Sequence, residues 1–431
     1  MATDADLNGV QEKFNEWLHQ AGLSKDIKVE TLAGSDITDK RQNKYTQWLS
    51  SGREKPSLLM MDNGWTLPFI VRNQVLNLSE EIPETTKMVE DEYFEASVRT
   101  AKGPDGGLHA IPMFPDFPTM QYRKDLVQDA GYDTSGWATS SMDWTRFSEI
   151  TADVKEQSEA KFGFTFQFKS YGGLSCCDFN EFLSSYGGTY FGGLDNLFGP
   201  VGERPVTVDE KPVVDSLRML RTFVNGEDDQ HALDSVTGNI SPQAVLQWSE
   251  EPSRKPFTNG NAVMHRNWPY SVRINGAEDA FGEDLGVMPI PHGVSPENAK
   301  YDGTGGAVAA LGGWHTAVNP NTPKKQASLE VIKALTKKSV QYKLLGEIGW
   351  MPPRPEMLKS DRAKDIPVMG RYMETFRKAG ENAIPRPVTV VWPQESNKIA
   401  QEANSAVSGQ KSPDKAMTDL KKTLKQIEDS V

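Results

Sequence analysis

Asp62 directly follows the apolar run Leu58 to Met61, and Trp65 lies three residues further on. In open α/β sheets ligands bind beyond the carboxyl ends of the strands, so a binding residue is expected at such a position. A carboxylate accepts two hydroxyl hydrogen bonds at once, and an aromatic face packs against the C–H face of a pyranose, so this pair suits a sugar. Aspartate is equally a preferred helix cap, and capping stands beside ligand contact as a reading of Asp62. The chain has ten tryptophans, and Trp65, Trp268, Trp314, Trp350 and Trp392 each stand near Gly, Pro or Asn, where loops are expected. Taken singly, each is more often core filler than a stacking platform.

Other chemistries find little support. The six histidines are scattered, with no His, Cys or carboxylate cluster at metal-ligand spacing. No nucleophile elbow or phosphate-binding loop is present, and Gly303, Gly305 and Gly306 lack the third spaced glycine of a dinucleotide fingerprint and read as a turn. No cofactor, metal or catalytic residue is therefore expected. A pair of acids for glycosidic cleavage need not be close in sequence, but nothing singles one out. Forty-seven basic against fifty-nine acidic residues give a net charge of −12, which repels nucleic acid and anionic lipid. The adjacent Cys176 and Cys177 fit neither a zinc site nor a disulfide framework. A vicinal disulfide and reduced, buried thiols both remain open, and the burial habit of cysteine favours the thiols.

At 431 residues, two lobes are expected. Leu7, Val10, Phe14 and Leu18 recur at helical spacing up to Gly22. A strand around Lys28 to Leu32, a helix with Tyr45, Trp48 and Leu49, and the strand Leu58 to Met61 follow. Strand and helix then alternate, which implies mainly parallel sheets flanked by helices. An α/β chain opening on a helix suggests that a first strand before Leu7 has been trimmed away. Residues 2–5 carry no secretory signal, so the chain is expected either to be cytoplasmic or to have lost one. Phe162, Phe164, Phe166 and Phe168 have period two and read as a strand of a second sheet, followed by a helix through Phe179 to Tyr186. Further helices are expected through Val214 to Phe223, from Ser241 and Pro242, through Leu329 to Leu344, through Tyr372 and Phe376, and from Ser412 and Pro413 to Ile427.

The segment Phe257-Thr-Asn-Gly-Asn-Ala-Val-Met-His-Arg-Asn-Trp-Pro-Tyr270 closely resembles the signature of family 1 extracellular solute-binding proteins, the sugar receptors of ABC importers. Four more segments resemble the same family: Gly107-Leu-His-Ala-Ile-Pro112 running on to Tyr122-Arg-Lys-Asp-Leu126, Leu311-Gly-Gly-Trp314, Met351-Pro-Pro-Arg354, and Pro385-Arg-Pro-Val388. The likeness is greatest to trehalose/maltose and glucose receptors. It implies an α/β, two-lobed periplasmic-binding-protein-like fold of type II, with sugar held between lobes that close about a hinge. Expected boundaries are 1–117 plus 271–318 for the N-terminal lobe and 118–270 plus 319–431 for the C-terminal lobe.

The resemblance also assigns residues. Asp62 resembles the family's hydroxyl-clamping aspartate, and Asp116 in Met113-Phe-Pro-Asp-Phe117 resembles a second, with Phe114 and Phe117 lining the same cleft. Trp268 and Trp314 match stacking aromatics; Gly313 offers its backbone amide, and Tyr270 adds a hydroxyl. Arg386 matches an arginine that reaches sugar hydroxyls or buttresses the aspartates, and is preferred to Arg354. Relatives often place one cysteine in a cleft-facing loop where this chain has Tyr171-Gly-Gly-Leu-Ser-Cys-Cys177, and the doubled cysteine there offers a flat contact surface. The family's first strand and the acidic or polar contact after it find no counterpart. What is implied is a monomeric, non-enzymatic receptor for a mono- or disaccharide that delivers it to a membrane permease, extracellular or periplasmic and lipid-anchored to the cell surface. A carbohydrate-active enzyme, or a same-fold receptor for a non-sugar solute, is the alternative.

Overall fold

The computed structural model describes residues 1–35 and 37–430. Its strands are β1 (Ala2–Thr3), β2 (Leu32–Ala33), β3 (Leu58–Asp62), β4 (Ala110–Asp116), β5 (Thr119–Arg123), β6 (Phe162–Thr165), β7 (Ala262–Asn267), β8 (Leu285–Met288), β9 (Ala309–Val318) and β10 (Ala383–Pro385). The chain divides into two units, Met1–Asp116 with Gly312–Gly370 and Phe117–Leu311 with Arg371–Val431. The first boundary lies one residue from the expected one, but 271–311 belongs to the second unit and 319–370 to the first. Strand pairing gives the reason for one shift: β8 lies antiparallel to β5 within the second unit's sheet. Helix packing gives the other, since Lys325–Leu335 and Lys338–Ile348 pack on the N-terminal helix Gln11–Gln20.

In the first unit β1 lies between β2 and β3, parallel to both, with Ala2 opposite Leu32 and Leu59. The first strand, expected to be missing, is thus represented by two residues, and the acidic Asp4 follows it at once. Asp4 caps the next helix, its Oδ1 accepting from Leu7 N at 2.9 Å. The expected single opening helix is two, Ala5–Gly9 and Gln11–Gln20, broken at Val10. Because β1 offers only two residues to pair with, β2 shrinks to Leu32–Ala33. The extended chain before it is held by Asn15, whose side chain accepts from Val29 N at 2.7 Å and donates to Val29 O at 2.9 Å. β3 is buried along its whole length, as an apolar run in a sheet covered on both faces must be.

The second unit's sheet runs in the order β6-β7-β5-β8. Phe164, Phe166, Phe147, Phe182 and Trp144 form its aromatic core, with the Phe164 and Phe166 rings stacked at 4.8 Å. The strand expected through Phe168 ends at Thr165, because Phe168 N turns away to Val245 O at 3.1 Å. The helix expected from Pro242 is a short 3-10 turn, Gln243–Gln247, followed by the helix Glu250–Thr258. The last helix, Pro413–Glu428, begins as its sequence indicates, Ser412 Oγ accepting from Lys415 N at 3.3 Å.

The sheets are mixed rather than mainly parallel. β1 with β2 and β3, β6 with β7, and β10 with β9 are parallel, whereas β9 with β3 and β4, and β5 with β7 and β8, are antiparallel. β5 and β9 are the strands at which the chain passes from one unit to the next. A strand entered that way is not the return of a βαβ crossover, so the rule that makes such returns parallel does not govern it.

Candidate ligand-binding site

Asp62 closes β3 and is buried, and the chain reverses after it through Asn63 and Gly64. Its Oδ1 accepts from Gly64 N at 2.8 Å and its Oδ2 from Thr38 Oγ1 at 3.2 Å. The capping alternative does not hold: the helix Thr66–Ile70 starts from Trp65 with no side-chain cap. Trp65 is buried, donating its Nε1 hydrogen to Thr38 Oγ1 at 2.9 Å. Thr38 therefore relays the indole N–H to the Asp62 carboxylate and fixes both.

Trp314 lies on β9 directly opposite Asp62 on one side and Phe114 on the other. It is half-buried, meets the Trp65 ring edge-on at 6.4 Å, and carries the Arg41 guanidinium 4.2 Å from its ring centroid. Gly313 before it has φ +136°, and a Cβ there would stand 2.7 Å from Phe114 O, so only glycine fits. Its carbonyl accepts from Asn63 N at 3.1 Å, tying β9 to the turn after Asp62. β4 is bulged between Pro112 and Phe114 opposite this stretch. Such irregularities commonly re-aim side chains next to functional sites. Phe114 stacks on Trp350 at 4.2 Å, and Asp116 ends β4, half-buried, opposite Gly312.

Arg41 also belongs to this cluster, although no motif in the sequence marks it. It is buried on the helix Thr38–Ser50, and its Nε and Nη2 donate to Ser35 O at 3.3 and 3.0 Å. Its Nη1 has no hydrogen-bond partner among the described residues. Leaving a buried donor unmet costs about 1–3 kcal/mol, which a ligand oxygen would recover. The available signal was a charged residue on the same helical stripe as Tyr45 and Leu49.

In the second unit, β7 delivers Trp268 to the start of the helix Pro269–Asn275, with Pro269 at the first position and Trp268 N bonded to Asn267 Oδ1 at 2.8 Å. Tyr270 donates its hydroxyl to Glu251 Oε1 at 2.8 Å, so that hydrogen is engaged within the protein. Phe117 is fully buried and packs against Gly380, as a core residue does. Arg386 follows β10, is buried, and lies with Nη2 3.5 Å from Cys177 Sγ. Arg354, the alternative arginine, is held in the first unit by Glu92 at 2.6 Å, Gln341 at 2.7 Å and Thr336 O at 2.9 Å. Its guanidinium is occupied structurally.

Cys176 and Cys177 are joined in a vicinal disulfide, not the reduced thiols expected from burial. Both are buried, in the single π-helical turn Leu174–Asp178. Burial favours each thiol singly but does not weigh the bond that two adjacent sulfurs can make to each other. Behind this turn Arg266 meets Glu181 and Asp178, all three buried. Burial pushes the Asp178 carboxyl well above its usual range, against the pull of the Arg266 cation. Its Oδ1 lies 3.1 Å from Arg266 Nη1 without hydrogen-bond geometry.

Comparison with known proteins adds to this geometry. A family model described as bacterial extracellular solute-binding protein matches residues 5–342. The chain belongs to that family. A relative from Deinococcus radiodurans, named a probable ABC transporter-binding protein, is 26% identical over 395 residues, covering 90% of this chain and 84% of the relative. Among solved structures, maltose-bound MalE3 of T. maritima superposes with a TM-score of 0.81 at 26% identity, over 99% of this chain and 98% of the other. A solute-binding protein from Thermotoga lettingae bound to α-D-tagatose gives 0.76 at 19% identity, over 98% and 97%. The family members are solute-binding proteins, and this chain is one of them rather than an enzyme. Among the described residues no helix is long and apolar enough to cross a membrane.

Proposed function

We propose that this family member captures a mono- or disaccharide such as glucose, maltose or trehalose and delivers it to the membrane permease of an ABC importer. The observation that carries the reading is the first unit's arrangement of Trp314, Trp65 and Asp62, with Arg41 behind Trp314. An aromatic face beside a fixed carboxylate and a guanidinium N–H unmet among the described residues matches the apolar face and hydroxyl rim of a sugar ring. Asp62, Trp65, Phe114, Asp116, Gly313 and Trp314 from the first unit, and Trp268, Tyr270 and Arg386 from the second, are the proposed contacts, with Phe117 supporting them from the core. The sugars named for the T. maritima and Thermotoga lettingae proteins support the ligand class. Extracellular or periplasmic placement, a lipid anchor and a monomeric state belong to the same reading. A thermal-shift screen against mono- and disaccharides, followed by calorimetry, tests it. Sugar at about a hundredfold excess over its dissociation constant should stabilise the native state by about 2.7 kcal/mol. Silence across the panel would sink the sugar reading.

A further inference from the structure

Arg266 is fully buried in the middle of a sheet, on β7, a position that charged residues avoid unless paired. Each of its three guanidinium nitrogens donates a hydrogen bond. Nε donates to Glu181 Oε1 at 2.8 Å, Nη2 to Glu181 Oε2 at 3.3 Å and Nη1 to Gln167 Oε1 at 3.0 Å. Its Cζ stands over the Trp268 ring, 4.7 Å from the centroid. Two residues apart on extended backbone, Arg266 and Trp268 project to the same side, so this contact follows from β geometry.

A buried ion pair is a poor device for stability alone, because well-packed apolar residues of similar volume commonly do as well or better. What apolar residues cannot supply is a planar fork held in one orientation from two sides. Glu181 supplies that hold, and it is itself fixed by Ala310 N on β9, which donates to Oε2 at 2.9 Å. Glu181 and Asp178 also lie on the helical stretch that carries the disulfide turn. One charge cluster therefore joins Trp268, β9 and the Cys176–Cys177 turn.

We propose that Arg266 is a positioning residue for sugar binding: clamped by Glu181, its guanidinium is the rest against which the Trp268 ring is held, leaving the opposite face for the ligand. The inference rests on the receptor reading above. Arg266 touches no ligand in this scheme and acts only through Trp268.

The test is a double-mutant cycle on the full chain, with sugar affinity by calorimetry and melting temperature measured side by side for wild type, Arg266→Lys, Trp268→Leu and the double variant. Lysine keeps the charge and loses the fork. Arg266→Lys is expected to weaken binding about tenfold, in the range set by one well-held aromatic contact. In the Trp268→Leu background the same change should cost no further affinity, a result that a merely structural role would not produce. If Arg266→Lys fails to fold, Glu181→Gln, which keeps the side-chain shape and weakens the clamp, takes its place with the same expectations. Wild-type affinity in the single variant, or an equal loss in both backgrounds, overturns the inference while leaving the receptor intact. If wild type binds no sugar, the receptor reading itself falls, and this inference falls with it.

Discussion

Replacing Trp314 by alanine separates a stacking platform from a core residue. The ring is half-buried, between the Arg41 guanidinium at 4.2 Å and the edge-on Trp65 ring at 6.4 Å. A fully buried Trp→Ala change costs about 3–5 kcal/mol, and a half-buried ring loses roughly half of that, about 2 kcal/mol of stability. If the remaining surface of the ring stacks on sugar, truncation also removes about 2 kcal/mol of binding, the scale of a tryptophan hot spot. That corresponds to about thirtyfold in dissociation constant. Calorimetric titration with the best sugar of a screen reads the second quantity, and chemical denaturation reads the first. Trp314→Phe, which keeps an aromatic face, should recover part of the affinity. A lowered denaturation midpoint with wild-type affinity would show that Trp314 serves packing alone, and would refute the argument.

Gly313→Ala places a Cβ 2.7 Å from Phe114 O at φ +136°, so the urea midpoint should fall by the equivalent of about 1–3 kcal/mol; a neutral substitution would contradict the geometry. The Glu395 carboxyl is pushed up to about 8 from 4.5, by burial first and then by the Glu428 carboxyl, with Arg204 opposing. The folded chain thus keeps a proton that the unfolded chain releases, so this stabilisation is complete below pH of about 4.5 and is lost as pH rises through about 8. Melting temperature should decline across that window, and Glu395→Gln should flatten the decline; an unchanged slope would assign it elsewhere. Cys176 and Cys177 should resist alkylation in denaturant without reductant and both label after reduction, whereas labelling without reductant would show free thiols.

The apolar runs and their breakers were legible in the sequence because period and punctuation are local properties. Leu58 to Met61 makes β3, and Ser412-Pro413 opens the last helix. Asp62 and Trp65 could be placed at a strand end for the same reason. What the sequence hid depends on partners far along the chain. Nothing near Arg41 indicates Trp314, and nothing near Arg266 indicates Glu181. The two-residue β1 was invisible because so short a strand has no period to read; it is defined only by β2 and β3 on either side. Phe117, drawn into the site by its neighbour Asp116, lies in the core because the chain passes from one unit to the other between them.

β9 has a consequence for how the protein is made. In the first unit it sits between β3 and β4 and supplies the partner of both, yet the ribosome delivers it long after them. Between Asp116 and Gly312 the chain builds most of the second unit, an interval of on the order of ten to forty seconds at about 5–20 residues per second. Throughout it the nascent β3 and β4 lack a native neighbour on the side that β9 will fill. The second unit's own sheet, β6-β7-β5-β8, is complete within that interval, and only β10 and the helices after it come later. The order of synthesis therefore lets the second unit's sheet pair first, while the first unit keeps β3 and β4 open on one side until the chain returns to it.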